Sequence, residues 1–287
     1  MKAYRPAGQE FQFSCPVLEL TPFGVADQTM SGIAPASPPL SADSTSPTSL
    51  LAQTDGLVGG SIRHVETWSA LSGYILKVSG GSSFFVSMRG ESIQRIGDDQ
   101  PWPQLDREIL VGPVLVLALA LRNVWSMHAS AVTCNGRALL FVGESGRGKS
   151  TLAAFLASTG DPESRLVSDD ILPVTIEAGL TAWPHFPQLK LPLNEQPGTS
   201  LPDQLPVGAI CLLGESATPS LVKLSASSAV PILLGHTAGT RIFPPVLLAD
   251  HLAFCAKAAK TVPVYALSYP RRMDTLPDVE KLLETIC

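Results

Sequence analysis

GESGRGKST, at residues 143–151, decides how this chain is read, because it fills every required position of the pattern G-x-x-x-x-G-K-[ST]. The pattern is a phosphate cradle. Gly143, Gly146 and Gly148 can adopt backbone angles closed to other residues, so that successive N–H groups converge on phosphate oxygens. Lys149 then reaches the β- and γ-phosphates, Ser150 offers a hydroxyl to Mg²⁺, and the helix beginning there turns the positive end of its dipole toward the same anion. The whole run is expected to hold ATP: Gly143, Glu144, Ser145, Gly146, Arg147, Gly148, Lys149, Ser150 and Thr151. Its flanks have the order such a loop requires, strand before and helix after. RALLFV, residues 137–142, is a short apolar run behind the turn pair Asn135-Gly136, and Leu152, Phe155 and Leu156 fall at helical spacing before a stop at Gly160.

A nucleotide site also needs carboxylates, and RLVSDDI, residues 165–171, supplies them. Leu166 and Val167 read as a second buried strand. Asp169 and Asp170 then stand at its end, where open α/β sheets bind ligands. One of the pair can take a proton while the other binds metal.

These residues resemble the catalytic domain of the bacterial HPr kinase/phosphorylase family. Three anchors carry the likeness: His128 in MHASAV, the phosphate loop, and the paired aspartates of VSDD. His128 precedes Lys149 by 21 positions, about the family interval, and the slightly long interval to the aspartates falls in TGDPES, residues 159–164. The resemblance implies an α/β fold of the HPr-kinase or phosphoenolpyruvate-carboxykinase kind. It makes Asp169 the general base, Asp170 with Ser150 the Mg²⁺ side, His128 the companion beside the reacting phosphate, and Lys149 the cation on the phosphates. Arg241, in GTRI, is the candidate for the family's phosphate arginine. The wording MHASAV, FVGESGRGKSTLAAFL, RLVSDD and WPHFPQLKLP is similar to one subgroup, the kinases of lasso-peptide gene clusters. Softer matches continue through residues 189–192, 207–213 and 262–272. The subgroup implies a precursor peptide as partner, phosphorylated on a serine near its carboxyl end. The wider family implies a homo-oligomer. Two other functions stay open, a kinase acting on HPr itself in carbohydrate regulation and a nucleotide-binding module without transfer activity. The intact His128, Asp169 and Asp170 weigh against the second.

With 287 residues, 45% hydrophobic and 16% charged, the chain is long enough for one large or two modest domains. Its net charge of −5, without a basic run, argues against nucleic acid as partner. Arg271-Arg272 reads as a pair of solvated surface arginines. Cys15, Cys134, Cys211, Cys255 and Cys287 show no C-x-x-C spacing, so reduced thiols and a cytoplasmic home are expected. The start MKAYRPAGQEF lacks a signal-peptide core, and the longest apolar run, residues 109–121, is too short to span a bilayer and reads as a buried helix.

Residues 31–49, SGIAPASPPLSADSTSPTS, read as a mobile loop, since so little apolar surface cannot offset the entropy of ordering. Residues 73–77, 83–88 and 91–96 read as short strands. The expected organisation is a small β-rich domain over residues 1–122 and a phosphate-loop catalytic domain over 123–287. Residues 246–260 read as a helix with Leu248, Leu252, Cys255 and Ala259 on one face, and His251 as a surface or packing residue. The aromatic, proline-rich stretch around Trp183, His185 and Phe186 either lines a substrate groove or forms a rigid packed loop.

Overall fold

The protein is described here as a computed structural model covering residues 2–13, 17–24, 46–97, 102–159, 164–188 and 201–287. Gly160, most of TGDPES, residues 31–45, residues 189–192 and Cys15 lie outside the described residues. The fold is mixed α/β and divides into two units, Met1–Trp125 with Gly239–Asp250, and Ser126–Ala238 with His251–Cys287. The expected division at residue 122 treats everything beyond it as continuous. In the structure a short later segment returns to the first unit, because tertiary pairing is blind to chain order.

The first unit opens with an antiparallel pair, β1 (Lys2–Tyr4) and β2 (Phe11–Phe13). A five-stranded antiparallel sheet follows in chain order: β3 (Ser49–Val58), β4 (Ser61–Ala70), β5 (Gly73–Val78), β6 (Ser83–Ser87) and β7 (Ile93–Ile96). The long β3–β4 hairpin turns on Gly59 and Gly60, both at positive φ (60° and 70°), as a two-residue turn requires. The end of the expected mobile loop is ordered: Thr48 donates its N–H to the Ser69 carbonyl, and Ser49 opens β3. Hydroxyl bonds among Thr48, Ser49 and Ser69 hold it there.

The apolar run that follows is helical and buried, but it is not one helix. α1 (Gln104–Ile109) and α2 (Leu115–Ala120) flank a wide turn, Leu110–Val114, where Gly112 leaves helical angles. Pro113 lacks an N–H and its ring clashes with the preceding turn, so the helix breaks there. Asp106 of α1 is 2% exposed and fully engaged, accepting from Ser82 N–H (2.8 Å), Ser82 Oγ (2.6 Å) and Arg95 Nε (2.8 Å). The returning segment is held by Thr67 Oγ1 donating to the Ile242 carbonyl (2.7 Å) and by an edge-on contact of Trp125 with Phe243.

The second unit is built on a nine-stranded sheet. Its strands are β8 (Trp125–His128), β9 (Ser130–Cys134), β10 (Arg137–Val142), β11 (Leu166–Ser168), β12 (Ile171–Ile176), β13 (Leu180–Ala182), β14 (Leu205–Glu215), β15 (Ser220–Lys223) and β16 (Val264–Tyr269). The order is β11-β9-β10-β14-β13-β12-β8, with β16 beside β14 and β15 on β16. β10, β14 and β16 run parallel, and β9 runs antiparallel to both β10 and β11. Four helices complete the list: α3 (Lys149–Ser158), α4 (Ala226–Gly235), α5 (Pro245–Thr261) and α6 (Leu276–Glu284).

Alternation places Leu139 and Phe141 of β10, Ala209, Cys211 and Leu213 of β14, and Leu267 and Tyr269 of β16 on one sheet face. There they meet Leu152 and Leu156 of α3 and Val279 and Leu283 of α6 in one core.

Two expectations change here, and a third, on His251, resolves to one of its alternatives. On α5, Leu248 and Leu252 face outward (48% and 51% exposed), while Leu247, His251, Phe254, Cys255 and Ala258 are buried, so the buried stripe is rotated from the expected one. His251 is therefore a packing residue, its imidazole pushed below the ordinary range by burial. The thiols are not all reduced: Cys134 at the end of β9 and Cys287 after α6 form a disulfide across 153 residues, their Cα atoms 5.7 Å apart. Nothing in cysteine spacing could announce a pair made by packing, and the expectation of a cytoplasmic home loses that support. Cys211 and Cys255 are free and buried, and desolvation pushes both thiols up to about 12. Among the described residues, no helix is long and apolar enough to cross a membrane.

Candidate phosphate site

Sheet topology assembles the site. β10 and β11 both run antiparallel to β9, so they are parallel to each other, and their carboxyl ends share one edge of the sheet. Ser130 pairs with Phe141 on one side of β9, and Ala131 pairs with Ser168 on the other. Gly143 and Asp169 therefore leave the sheet at nearly the same level, about two strand spacings or ~9.6 Å apart. His128, the last residue of β8, and Ala129, which joins it to β9, lie at that same end.

The loop after β10 has the backbone its glycines predict. Gly143, Gly146 and Gly148 have φ of 150°, 78° and 88°, in the range that disfavours a Cβ. Gly148 stands at the N-cap of α3 in the left-handed conformation, and no side chain caps the helix. The first turn thus offers backbone donors and the positive dipole end to an anion. Lys149 is buried, its Nζ donating to the carbonyls of Gly143 (2.8 Å) and Glu144 (3.1 Å). The ammonium lies inside the curl of the loop, where a phosphate would compete with those two carbonyls for it. Arg147 pairs with Glu144 (3.3 Å) on the outer side, and Ser150 is exposed.

Asp169 and Asp170 form the turn after β11. Ser130 Oγ donates to Asp169 Oδ1 (3.3 Å), and His128 Nε2 lies 3.2 Å from Asp170 Oδ1. Ala129 N–H donates to the Asp170 carbonyl (3.0 Å), fixing the turn to the β8–β9 connection. The structure brings His128 to Asp170, the carboxylate expected on the metal side, and Asp169 to a serine.

Two residues that sequence reasoning passed over hold this arrangement. Gln188 is 1% exposed, and its Oε1 accepts from Ser168 Oγ (3.1 Å), Asp169 N–H (3.0 Å) and Asp170 N–H (3.1 Å). Its Nε2 donates to the carbonyls of Ile171 (2.9 Å) and Phe186 (3.1 Å). One amide thus fixes the backbone that carries both carboxylates, a role a lone glutamine in WPHFPQLKLP gives no sign of. The other is Arg271, expected to be merely solvated, whose guanidinium donates to the Gly146 carbonyl of the phosphate loop. Arg272 pairs instead with Asp274.

The aromatic loop is packed. Phe186 is buried and Trp183 Nε1 donates to Thr175 Oγ1 (3.1 Å), which favours the rigid-loop alternative. Arg241 belongs to the segment that returns to the first unit, not to the unit carrying the phosphate loop.

Among the described residues no group of three or more His, Cys, Asp or Glu is arranged to enclose a metal. Mg²⁺ needs no such cage, since it is held by one or two carboxylates together with substrate phosphates. An exposed hydroxyl at the head of α3 and a half-buried carboxylate at the end of β11 suit that mode, so Ser150 and Asp170 fit the ion.

No family model matches the chain, and no curated protein matches it. Among solved structures it is similar to the HPr(Ser) kinase/phosphatase from Coxiella burnetii, with 16% identity and a TM-score of 0.34 over 56% of this chain and 94% of that one. A TM-score of 0.34 is too low to transfer either a fold or an activity.

Proposed function

We propose that the protein is an ATP-dependent kinase that transfers the γ-phosphoryl group to a serine hydroxyl of a peptide or small protein. The observation that carries this reading is the convergence, at one end of one sheet, of a complete phosphate loop with two adjacent carboxylates ending the strand two places away. A module that only binds nucleotide needs the loop but not the pair.

The loop amides and the head of α3 hold the triphosphate, and Lys149 offsets charge on the transferred group. Asp169 accepts the proton of the attacking hydroxyl, with Ser130 holding its Oδ1. Asp170 and Ser150 would hold Mg²⁺, which when bound would neutralise charge on the phosphate oxygens. His128 orients Asp170 through its Nε2.

For the acceptor, the likeness of MHASAV, GESGRGKST and RLVSDD to lasso-cluster kinases favours a serine near the carboxyl end of a linear precursor peptide. Such an end is flexible and can enter a cleft as an extended strand. The test is to incubate the protein with ATP, Mg²⁺ and either a precursor peptide or HPr, and to locate the phosphate by fragmentation mass spectrometry. Labelling of the peptide serine is expected. Labelling of HPr alone removes the peptide assignment and keeps the kinase. A folded Lys149→Ala variant should lose nearly all labelling, and unchanged labelling would remove the loop from the reaction.

A further inference from the structure

Residues 236–238, just past α4, run antiparallel beside β8. His128 N–H donates to the His236 carbonyl (2.8 Å), Met127 bridges Thr237, and Ala238 N–H donates to the Ser126 carbonyl (2.7 Å). This register puts His236 directly opposite His128. His236 itself closes α4 with φ −112° and ψ 15°, so its carbonyl is pinned to the backbone of His128 where the helix hands over to the paired segment. His128 turns its ring to Asp170 at the carboxylate turn, and the His236 ring lies within electrostatic reach of His128, Lys149 and Glu144.

The position is rigid. α4 ends at Gly235, His236 N–H donates back to the Ile232 carbonyl (3.0 Å), and Thr237 Oγ1 donates to the Leu233 carbonyl (2.9 Å). Three charged or titratable groups of the site act on the ring: Lys149 and His128, which disfavour its protonation, and Glu144, which opposes them. Burial comes first among the causes, and together they hold the His236 imidazole below its ordinary range. A neutral ring keeps one N–H to donate and can stand beside the Lys149 ammonium, from which an imidazolium would be repelled.

We infer that His236 is a phosphate-contacting residue of the site, donating an imidazole N–H to an oxygen of the γ-phosphoryl group alongside Lys149. The inference rests on the kinase reading and adds to it a group that neither the phosphate-loop pattern nor the aspartate pair includes. It assigns His236 to the phosphate that distinguishes ATP from ADP. Lys149 and the loop amides also serve the phosphates that the two nucleotides share.

The test compares binding of ADP and of the β,γ-imido analogue of ATP, each with Mg²⁺, to the full chain by calorimetry. In His236→Ala the affinity for the analogue relative to ADP should fall about tenfold, the size of one hydrogen bond to a charged group, while ADP affinity stays at the wild-type value. His236→Phe keeps the ring without the donor and should do the same, which covers the case in which the alanine variant does not fold. At least one of His236→Asn and His236→Gln, each with an N–H at one of the two ring-nitrogen positions, should restore most of the ratio. A folded alanine or phenylalanine variant with the wild-type ratio overturns the assignment and leaves the kinase reading intact. Equal loss for both nucleotides also overturns it, since it makes His236 a support of the loop. A wild-type protein that binds neither nucleotide overturns the kinase reading and this inference together.

Discussion

Asp106, in the first unit, is nearly inaccessible and receives three donors at 2.6–2.8 Å, from Ser82 and Arg95. Asp169 and Asp170, at the end of β11, are half-buried and meet Ser130 and His128 at 3.3 and 3.2 Å. The difference separates a carboxylate that holds a fold from a pair that can do chemistry. Short, charge-assisted bonds to fixed donors make Asp106 costly to unpair. Longer contacts and access to solvent leave the Asp169 carboxylate open to an incoming group, while its backbone N–H is fixed by Gln188.

The contrast is open to direct attack. Asp169→Asn should cut turnover by about 10²- to 10⁴-fold, as expected for loss of a general base, with nucleotide affinity and thermal midpoint near wild type. If Asp170→Asn alone produces that profile, the two roles are reversed. Asp106→Ala should do the opposite. It strands Arg95 and Ser82 in a buried site and should cost about 3–5 kcal/mol of stability, read as a lower denaturation midpoint, with turnover per folded molecule preserved. A drop in turnover without a drop in stability would break the distinction.

Gln188→Leu probes the ground between these cases. It leaves the N–H groups of Asp169 and Asp170 without their acceptor, at a cost of about 1–3 kcal/mol, while the Ser168 hydroxyl can turn to the Ala129 carbonyl. On the proposed roles it should lower kcat more than it weakens ATP binding, because the proton acceptor Asp169 is displaced while the loop that holds the triphosphate is untouched. Unchanged kinetics in a destabilised protein would make Gln188 scaffold alone. The smallest effect is expected of Arg271→Ala. An exposed guanidinium on the Gly146 carbonyl should change ATP affinity by no more than about fivefold, and less at high salt, as calorimetry at two ionic strengths would show.

The legible parts of the chain were those in which chemistry and spacing are local. The phosphate loop declares itself because three glycines, a lysine and a serine must stand at fixed offsets for the backbone to curl round an anion, and the flanking strand and helix follow from short-range periodicity. The break at Gly112-Pro113 was open to the same kind of reading, since proline ends a helix whatever lies around it. The β3–β4 hairpin was missed because its strands, QTDGLV and SIRHVETW, alternate only weakly; β3 is largely exposed, so little apolar patterning marks it.

Tertiary structure decided what depends on which strands become neighbours. Gln188 reaches three donors of the SDD turn because the chain after β13 packs back under β11. His236 faces His128 because residues 236–238 line up beside β8. Cys134 meets Cys287 because α6 closes over the sheet face that α3 also covers. Each of these pairs is joined by hydrophobic burial and backbone pairing that involve many other residues, so neither partner carries a local mark of the other. The sequence by itself determined that residues 143–151 fill the phosphate-loop pattern and that two carboxylates follow Val167. Which side chains hold the turn that carries those carboxylates, and which come to lie near the loop, follows from the packed fold alone, because burial is non-directional and fixes partners only when the whole core is in place.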